Sequence, residues 1–392
     1  MAKRYSILWK PKPKSGGELS GTSGIGLGPF SQVRELTFEM LDAKQLTEVS
    51  KEAEFIAPVM ATYLIQQRAS TLSCLDQNVW GIDAIAARET AFDGSGVRVA
   101  MLDTGIDAAH EAFLGLDLRQ SDFSGSGNGD RNGHGTHCGG TFFGRTVNGR
   151  RIGVAPGVTT ALVGKVLRDN GSGDTEMVFA GLKWAIDEGA EVISISLGFD
   201  FPGQVHEMVR AGWPPDLATS QVLDDYFRNL KMFEAIVGLA RARKPFGIDP
   251  LIVAATGNES RREIDPAYKI SASVPSVVCD LKVGAAGIQE DRFVIADFSN
   301  SGPDVVGPGI DVISAKLGGG LETLSGTSMA CPHVAGICAL WKERLRNAGK
   351  GNGGSVVRSY VIATAKSDRF NHRFDQADFG VGMVQAPLSA SS

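Results

Sequence analysis

The sequence predicts an α/β fold, a parallel sheet flanked by helices, with a small α+β unit ahead of it. Three observations predict it. From about residue 76, short apolar runs alternate with helix-periodic segments, as successive strands and crossover helices require. Glycine-rich turns follow several of these runs. The first 75 of the 392 residues have a different pattern.

In that first region RYSILWK reads as a strand, Pro11 to Pro29 as a Gly/Ser/Pro-rich stretch, and VRELTFEML as a second strand. A short helix, AKQLTEVSKEA, and a final strand, EFIAPVMATYLI, follow. The division expected is therefore 1–75 for this unit and 76–392 for the main domain. Within the main domain, strands are predicted at Val97–Leu102, Thr160–Val166, Glu191–Ser196, Leu251–Ala255 and Val277–Val283. Helices are predicted near Asp174–Glu188, Leu217–Ala242 and Ser328–Arg346. The stretch FDFPGQVHEMVRAGWPP, Phe199 to Pro215, stands apart; it reads either as a wall of a specificity pocket, through Phe199 and Trp213, or as a surface loop.

Composition narrows the function classes. Hydrophobic residues make up 43% and charged residues 21%, ordinary for a globular protein. A formal net charge of −5 supplies no basic stripe for nucleic acid, and no apolar run approaches membrane-spanning length. Protein or peptide partners are expected instead. Lys3 and Arg4 precede only a short apolar stretch that KPKPK interrupts, so no secretory signal is read and a cytoplasmic setting is expected. Five widely spread cysteines fit reduced thiols better than a disulfide framework.

The chemistry-bearing residues sit in turns. In LSGTSMACPHVAG, Ser328 opens a helix, where unpaired amides and the helix dipole favour developing negative charge. A serine hydroxyl needs a base, and the base an orienter. Asp103 ends the apolar strand of VRVAMLDTGID, where carboxylates face clefts in α/β sheets. His134 lies between two glycines in NGHGTHCGGT, just before a small-residue helix, and is the candidate base. Asn258, after LIVAAT and a glycine, can aim its amide into the same cleft as an oxyanion donor. Taken singly, each residue reads more readily as a cap, a loop or a turn. Cys138 and Cys331, about one turn from His134 and Ser328, read either as small buried core residues or, for Cys138, as a site where a bulky thiol reagent would displace His134.

The strings VAMLDTGID, NGHGTHCGGT and LSGTSMACPHVAG, in that order, resemble the three active-site signatures of the subtilisin-like serine protease (subtilase) family. The segment from GVAPGVTT to ISISLG, LIVAATGNES and ADFSNSGPDVVGPGIDVISA resemble family segments as well. The resemblance implies a subtilisin-like domain and a serine endopeptidase with Asp103, His134 and Ser328 as triad and Asn258 as oxyanion donor. It implies substrate pairing by strand addition along Gly171, Ser172 and Gly173 and along Ser196, Leu197 and Gly198. It also likens the first 75 residues to an inhibitory propeptide, although a glycine-rich segment stands where the family has a helix; a permanent accessory domain is the alternative reading. On that reading the tail Gln66 to Gln77 crosses the cleft and is cut there.

Many subtilases hold a structural calcium, yet Ala112 stands where a ligand Asp is expected, and the loop GRTVNGRRIGV is rich in arginine. No metal and no cofactor are expected at that site, while Asp76 or other carboxylates leave a different calcium site open. Three rivals remain: a metal hydrolase using Asp103, His110, His134, His137 and Cys138; a non-catalytic pseudoprotease; and a peptide-maturation or macrocyclisation enzyme that replaces water with an amine.

Overall fold

The computed structural model describes residues 2–11, 34–65, 67–69, 79–242, 249–271 and 278–388. The described chain forms two compact units. One comprises Met1–Met60 with Phe201–Ala235, the other Ala61–Asp200 with Ile236–Ser392. The division falls at Met60 rather than at residue 75, and the smaller unit gains an inserted segment from the middle of the chain.

The smaller unit contains β1 (Lys3–Trp9), β2 (Leu36–Leu41), α1 (Ala43–Glu52) and β3 (Ala53–Pro58). The strands form an antiparallel sheet in the order β2-β1-β3. Asp42 caps α1, and Gln45 returns the bond to the Asp42 amide in a capping box. Ile7, Leu41 and Ala53 make its core, with Tyr5, Trp9, Leu46, Val49 and Ile56 against them.

The larger unit begins with β4 (Ala61–Leu64), β5 (Arg68–Ala69), α2 (Trp80–Ala84), β6 (Arg98–Asp103), β7 (Asp117–Asp122) and α3 (His134–Phe143). It continues with a hairpin, β8 (Thr146–Val147) and β9 (Arg150–Arg151), then β10 (Thr160–Lys165), β11 (Ser172–Asp174), α4 (Thr175–Asp187), β12 (Val192–Ile195) and β13 (Leu197–Phe199). The insertion follows as α5 (Phe201–Arg210) and α6 (Pro215–Arg241). After it come β14 (Leu251–Ala255), β15 (Leu281–Gln289), β16 (Arg292–Ile295), β17 (Val305–Pro308), β18 (Val312–Ala315), β19 (Leu321–Ser325), α7 (Thr327–Asn347) and α8 (Gly354–Thr364).

The central sheet has eight strands, ordered β16-β15-β14-β12-β6-β10-β7 with β17 beside β15. Every pairing is parallel except β15 with β16. Its inner strands are continuous apolar runs because both faces are covered. Helix α7 is buried almost throughout its length, as a helix that is apolar on most sides must be. This is the α/β architecture that the sequence predicts.

Three expectations need correction. EFIAPVMATYLI is not one strand: it breaks after Pro58, so β3 belongs to the smaller unit and β4 to the larger one. Phe199–Pro215 is not a loop but is mainly the helix α5, with Phe199 buried in β13 and Trp213 46% exposed beyond the helix. Strand β15 starts at Leu281, because Asp280 turns back to accept from the Ile252 amide and from Arg241; Val277 lies outside the described residues. So do Cys74, Asp76, most of the Gly/Ser/Pro-rich stretch and most of the tail from Gln66 to Gln77. No described helix is long and apolar enough to cross a membrane.

Candidate active site

Asp103, the last residue of β6, is buried at the end of the central sheet, and its Oδ1 accepts from the Thr104 amide at 2.7 Å. The same oxygen receives His134 Nδ1–H at 2.7 Å. That bond fixes the tautomer of His134, leaving Nε2 as the acceptor nitrogen.

The histidine gets there through backbone economy. Gly133 caps α3 with φ 99°, a left-handed conformation in which glycine is unstrained. Gly135 brings the first turn of α3 so near the β6 turn that a Cβ there would lie 2.0 Å from the Gly105 carbonyl oxygen. Asp130 secures the loop: its carboxylate accepts from Thr104 Oγ1, the Asn132 and Gly133 amides, and both the amide and hydroxyl of Thr136. Thr104 Oγ1 in turn accepts from the Gly135 amide, so Asp103 and His134 are carried on one hydrogen-bonded frame.

Ser328 is the second residue of α7 and is fully buried; its Oγ has no hydrogen-bond partner among the described residues. Pro332, four residues on, has no amide hydrogen to give the Ser328 carbonyl. Cys138 fills the gap, its thiol donating to Ser328 O at 3.3 Å, with Ser196 Oγ at 3.5 Å from the same oxygen. Cys138 Sγ also lies 3.8 and 3.9 Å from the two ring nitrogens of His134. Burial, reinforced by the Asp103 carboxylate, pushes this thiol well above its ordinary range.

Asn258 follows β14 and has its Oδ1 held by the amide and hydroxyl of Thr327, both at 2.9 Å. Its Nδ2 is thereby turned toward the start of α7, and a Cβ on Gly326 would lie 3.0 Å from it. Gly326 is therefore explained by close approach and not by a sharp turn, since its φ of 165° is extended. Thr327 does not cap the helix; its hydroxyl serves Asn258 and accepts from the Gly257 amide.

The two edges expected to bind substrate are both present, and a strand already lies between them. β4 pairs antiparallel with β11 and with β13: Ser172 opposite Tyr63, Gly173 opposite Thr62, Leu197 opposite Leu64 and Gly198 opposite Tyr63. Gly171 O accepts from the Leu64 amide at 2.8 Å. Ser196, buried next to β13, contributes through Ser328 O as above. Farther on, β5 pairs with β19, Arg68 opposite Ser325, three residues before Ser328.

The metal-hydrolase set does not assemble. His110 spends Nε2 on Gly320 O and Nδ1 on the Ala112 amide. His137 donates Nε2 to Val312 O, and burial with the neighbouring His134 ring holds it down to about 3. Among the described residues only Asp103, His134 and Cys138 bring ligand atoms together, and the thiol there resists deprotonation.

Residues that sequence reading missed are Asp130, Thr104, Glu259 and Asn300. Asn300 Oδ1 accepts from the Glu259 and Ser260 amides, while its Nδ2 donates to Glu259 Oε2 at 2.5 Å. The signal for Asp130 was its place in DRNGHGT; Glu259 and Asn300 carry none, since a lone Glu or Asn in a loop reads as solvated.

Comparison with known proteins identifies the family. Residues 94–382 match the model of the Subtilase family. The chain is similar to a protein named Subtilisin-like protease 7 of Trichophyton equinum, 34% identical over 333 residues, which are 80% of this chain and 69% of that protein. Its namesake in Arthroderma benhamiae is 33% identical over 332 residues, 80% and 68% of the two chains. Subtilisin-like protease 6 of Trichophyton rubrum is 34% identical over 282 residues, 66% of this chain and 57% of that one.

Proposed function

The chain belongs to the subtilase family of subtilisin-like serine peptidases, and from that premise we propose that it hydrolyses peptide bonds through Asp103, His134 and Ser328 and an acyl-enzyme. Ser328 Oγ attacks the scissile carbonyl while His134 Nε2 takes its proton, which then passes to the leaving amine. Asp103 holds Nδ1–H and stabilises the imidazolium. The oxyanion meets Asn258 Nδ2 and the Ser328 amide at the positive end of α7. Water, activated by the same histidine, releases the acyl group. The Ser328–His134 hydrogen bond forms as substrate settles, since such bonds are often long or absent beforehand.

One observation carries this reading: residues Ala61–Leu64 lie as the middle strand between β11 and β13, the arrangement that a bound peptide would adopt. The chain's own segment acts as an intramolecular inhibitor, and its cleavage between Ile65 and Arg68 opens the cleft to protein substrates. The residues at the expected calcium position do not suit a cation. Ala112 has no ligand group, and the Arg151 guanidinium takes the carbonyls of Gly153 and Val154.

A fluorophosphonate probe tests the proposal. Wild type is labelled on Ser328, labelling and hydrolysis are lost together in Ser328→Ala, and chelators leave both unchanged. Hydrolysis that survives full probe treatment but stops with chelator would refute it.

A further inference from the structure

Tyr63 is the residue of the cleft strand that faces Gly198, and its ring lies against that glycine: a Cβ on Gly198 would come within 3.0 Å of the Tyr63 ring and hydroxyl. The hydroxyl donates to Glu259 Oε1 at 2.7 Å. Glu259 is not a loose surface carboxylate. Its other oxygen receives Asn300 Nδ2 and its amide is bound by Asn300 Oδ1, so the carboxylate is aimed along the cleft by a buried asparagine. It follows Asn258 directly, which places it beside the oxyanion donor.

From this geometry we propose that Glu259 selects substrates. It prefers peptides with tyrosine two residues before the position that the buried Ile65 now takes, directly after β4. Alternation along a strand puts Tyr63 and Ile65 on the same face, with Leu64 on the other. A phenol in this place reaches Glu259 with its hydroxyl while the ring packs closely over Gly198, where a Cβ would come within 3.0 Å of it. Phenylalanine would fill the same surface and leave the carboxylate without its donor. A carboxylate side chain at that position would face Glu259 as a like charge and be disfavoured. The preference rests on the peptidase reading above and narrows it to a substrate class.

The test uses two internally quenched peptides with the sequence from Ala61 to Arg68, one carrying tyrosine at the third position and one phenylalanine, each offered to the active enzyme. A charge-assisted hydrogen bond at a half-exposed site predicts a kcat/KM ratio, tyrosine over phenylalanine, of roughly five to ten. Both peptides compete equally with the enzyme's own segment, so the ratio is unaffected by it. In Glu259→Gln the ratio falls to roughly two to three, the bond to a neutral acceptor being about half as strong; in Glu259→Ala it falls to about one. Equal cleavage of the two peptides by wild type would overturn this proposal alone. Failure of wild type to cleave either would overturn the peptidase reading with it.

Discussion

At the scale of single residues, two side chains position the proposed catalytic groups: Thr327 holds Asn258, and Cys138 holds the Ser328 carbonyl beside the His134 ring. Asn258 is anchored through its oxygen so that its nitrogen can act. Asn258→Ala should lower kcat by roughly 10²- to 10³-fold with little change in KM, a range known from subtilisin itself; a loss confined to KM, read from steady-state kinetics, would contradict the role. Cys138 holds the Ser328 carbonyl that Pro332 leaves without a donor, and touches the His134 ring. A bulky maleimide should therefore react slowly with wild type, since the thiol is buried and held protonated, and inactivate it once Cys138 is modified. Mass spectrometry identifies the modified residue, and full activity with Cys138 occupied would refute the role. Asp103, His134 and Ser328 were legible because each sits in a long motif. Asp130, Cys138 as a carbonyl donor, and Glu259 were not, because their roles depend on partners distant in sequence that no local pattern names.

At the scale of elements, α3 and α7 carry His134 and Ser328, the proposed base and nucleophile, in their first turns. Gly135→Ala would drive a methyl into the Gly105 carbonyl, so α3 must shift and His134 with it. The expected outcome is a loss of activity of at least 10²-fold with about 2 kcal/mol lower stability in urea unfolding; near-normal activity would contradict the tight approach. Two buried histidines on these helices set the acid limit. His137 is held down to about 3, by burial and then by the His134 ring, and His333 on α7 to about 4 by burial against its bond to Met329 O. Both are neutral in the native fold and protonate freely when unfolded, with an ordinary value near 6.5. Their neutrality costs nothing above pH 6.5; below it the unfolded chain binds the extra protons, so stability falls with pH down to about 4 for His333 and about 3 for His137. In His333→Gln the melting temperature should fall less steeply between pH 6.5 and 4 than in wild type. An equal slope would rule out this contribution. The strands of the central sheet were legible as apolar runs covered on both faces. The break after Pro58 was not, because an unbroken β pattern does not reveal that the pairing partner changes from β1 to β11 and β13.

At the scale of the whole molecule, the chain supplies the strand between β11 and β13, and α5 with α6 as far as Ala235 joins the N-terminal sheet in one compact unit. Within that unit the buried Asn229 donates its Nδ2 to Pro58 O at 2.8 Å, just before the cleft strand begins. Asn229→Ala should loosen the end of β3 and speed release of the segment, seen as a shorter lag before peptide hydrolysis; an unchanged lag would set this coupling aside. A sequence can show that a propeptide-like region precedes a peptidase, but not that an insertion near residue 200 completes it, because the two stretches share no motif and meet only in the fold. The most direct test of the account is intact-mass and N-terminal analysis of purified protein, wild type beside Ser328→Ala. Cleavage between Ile65 and Arg68 in wild type, with Ser328→Ala intact, is the predicted result; an active wild type that keeps residues 1–69 joined to the rest would contradict it.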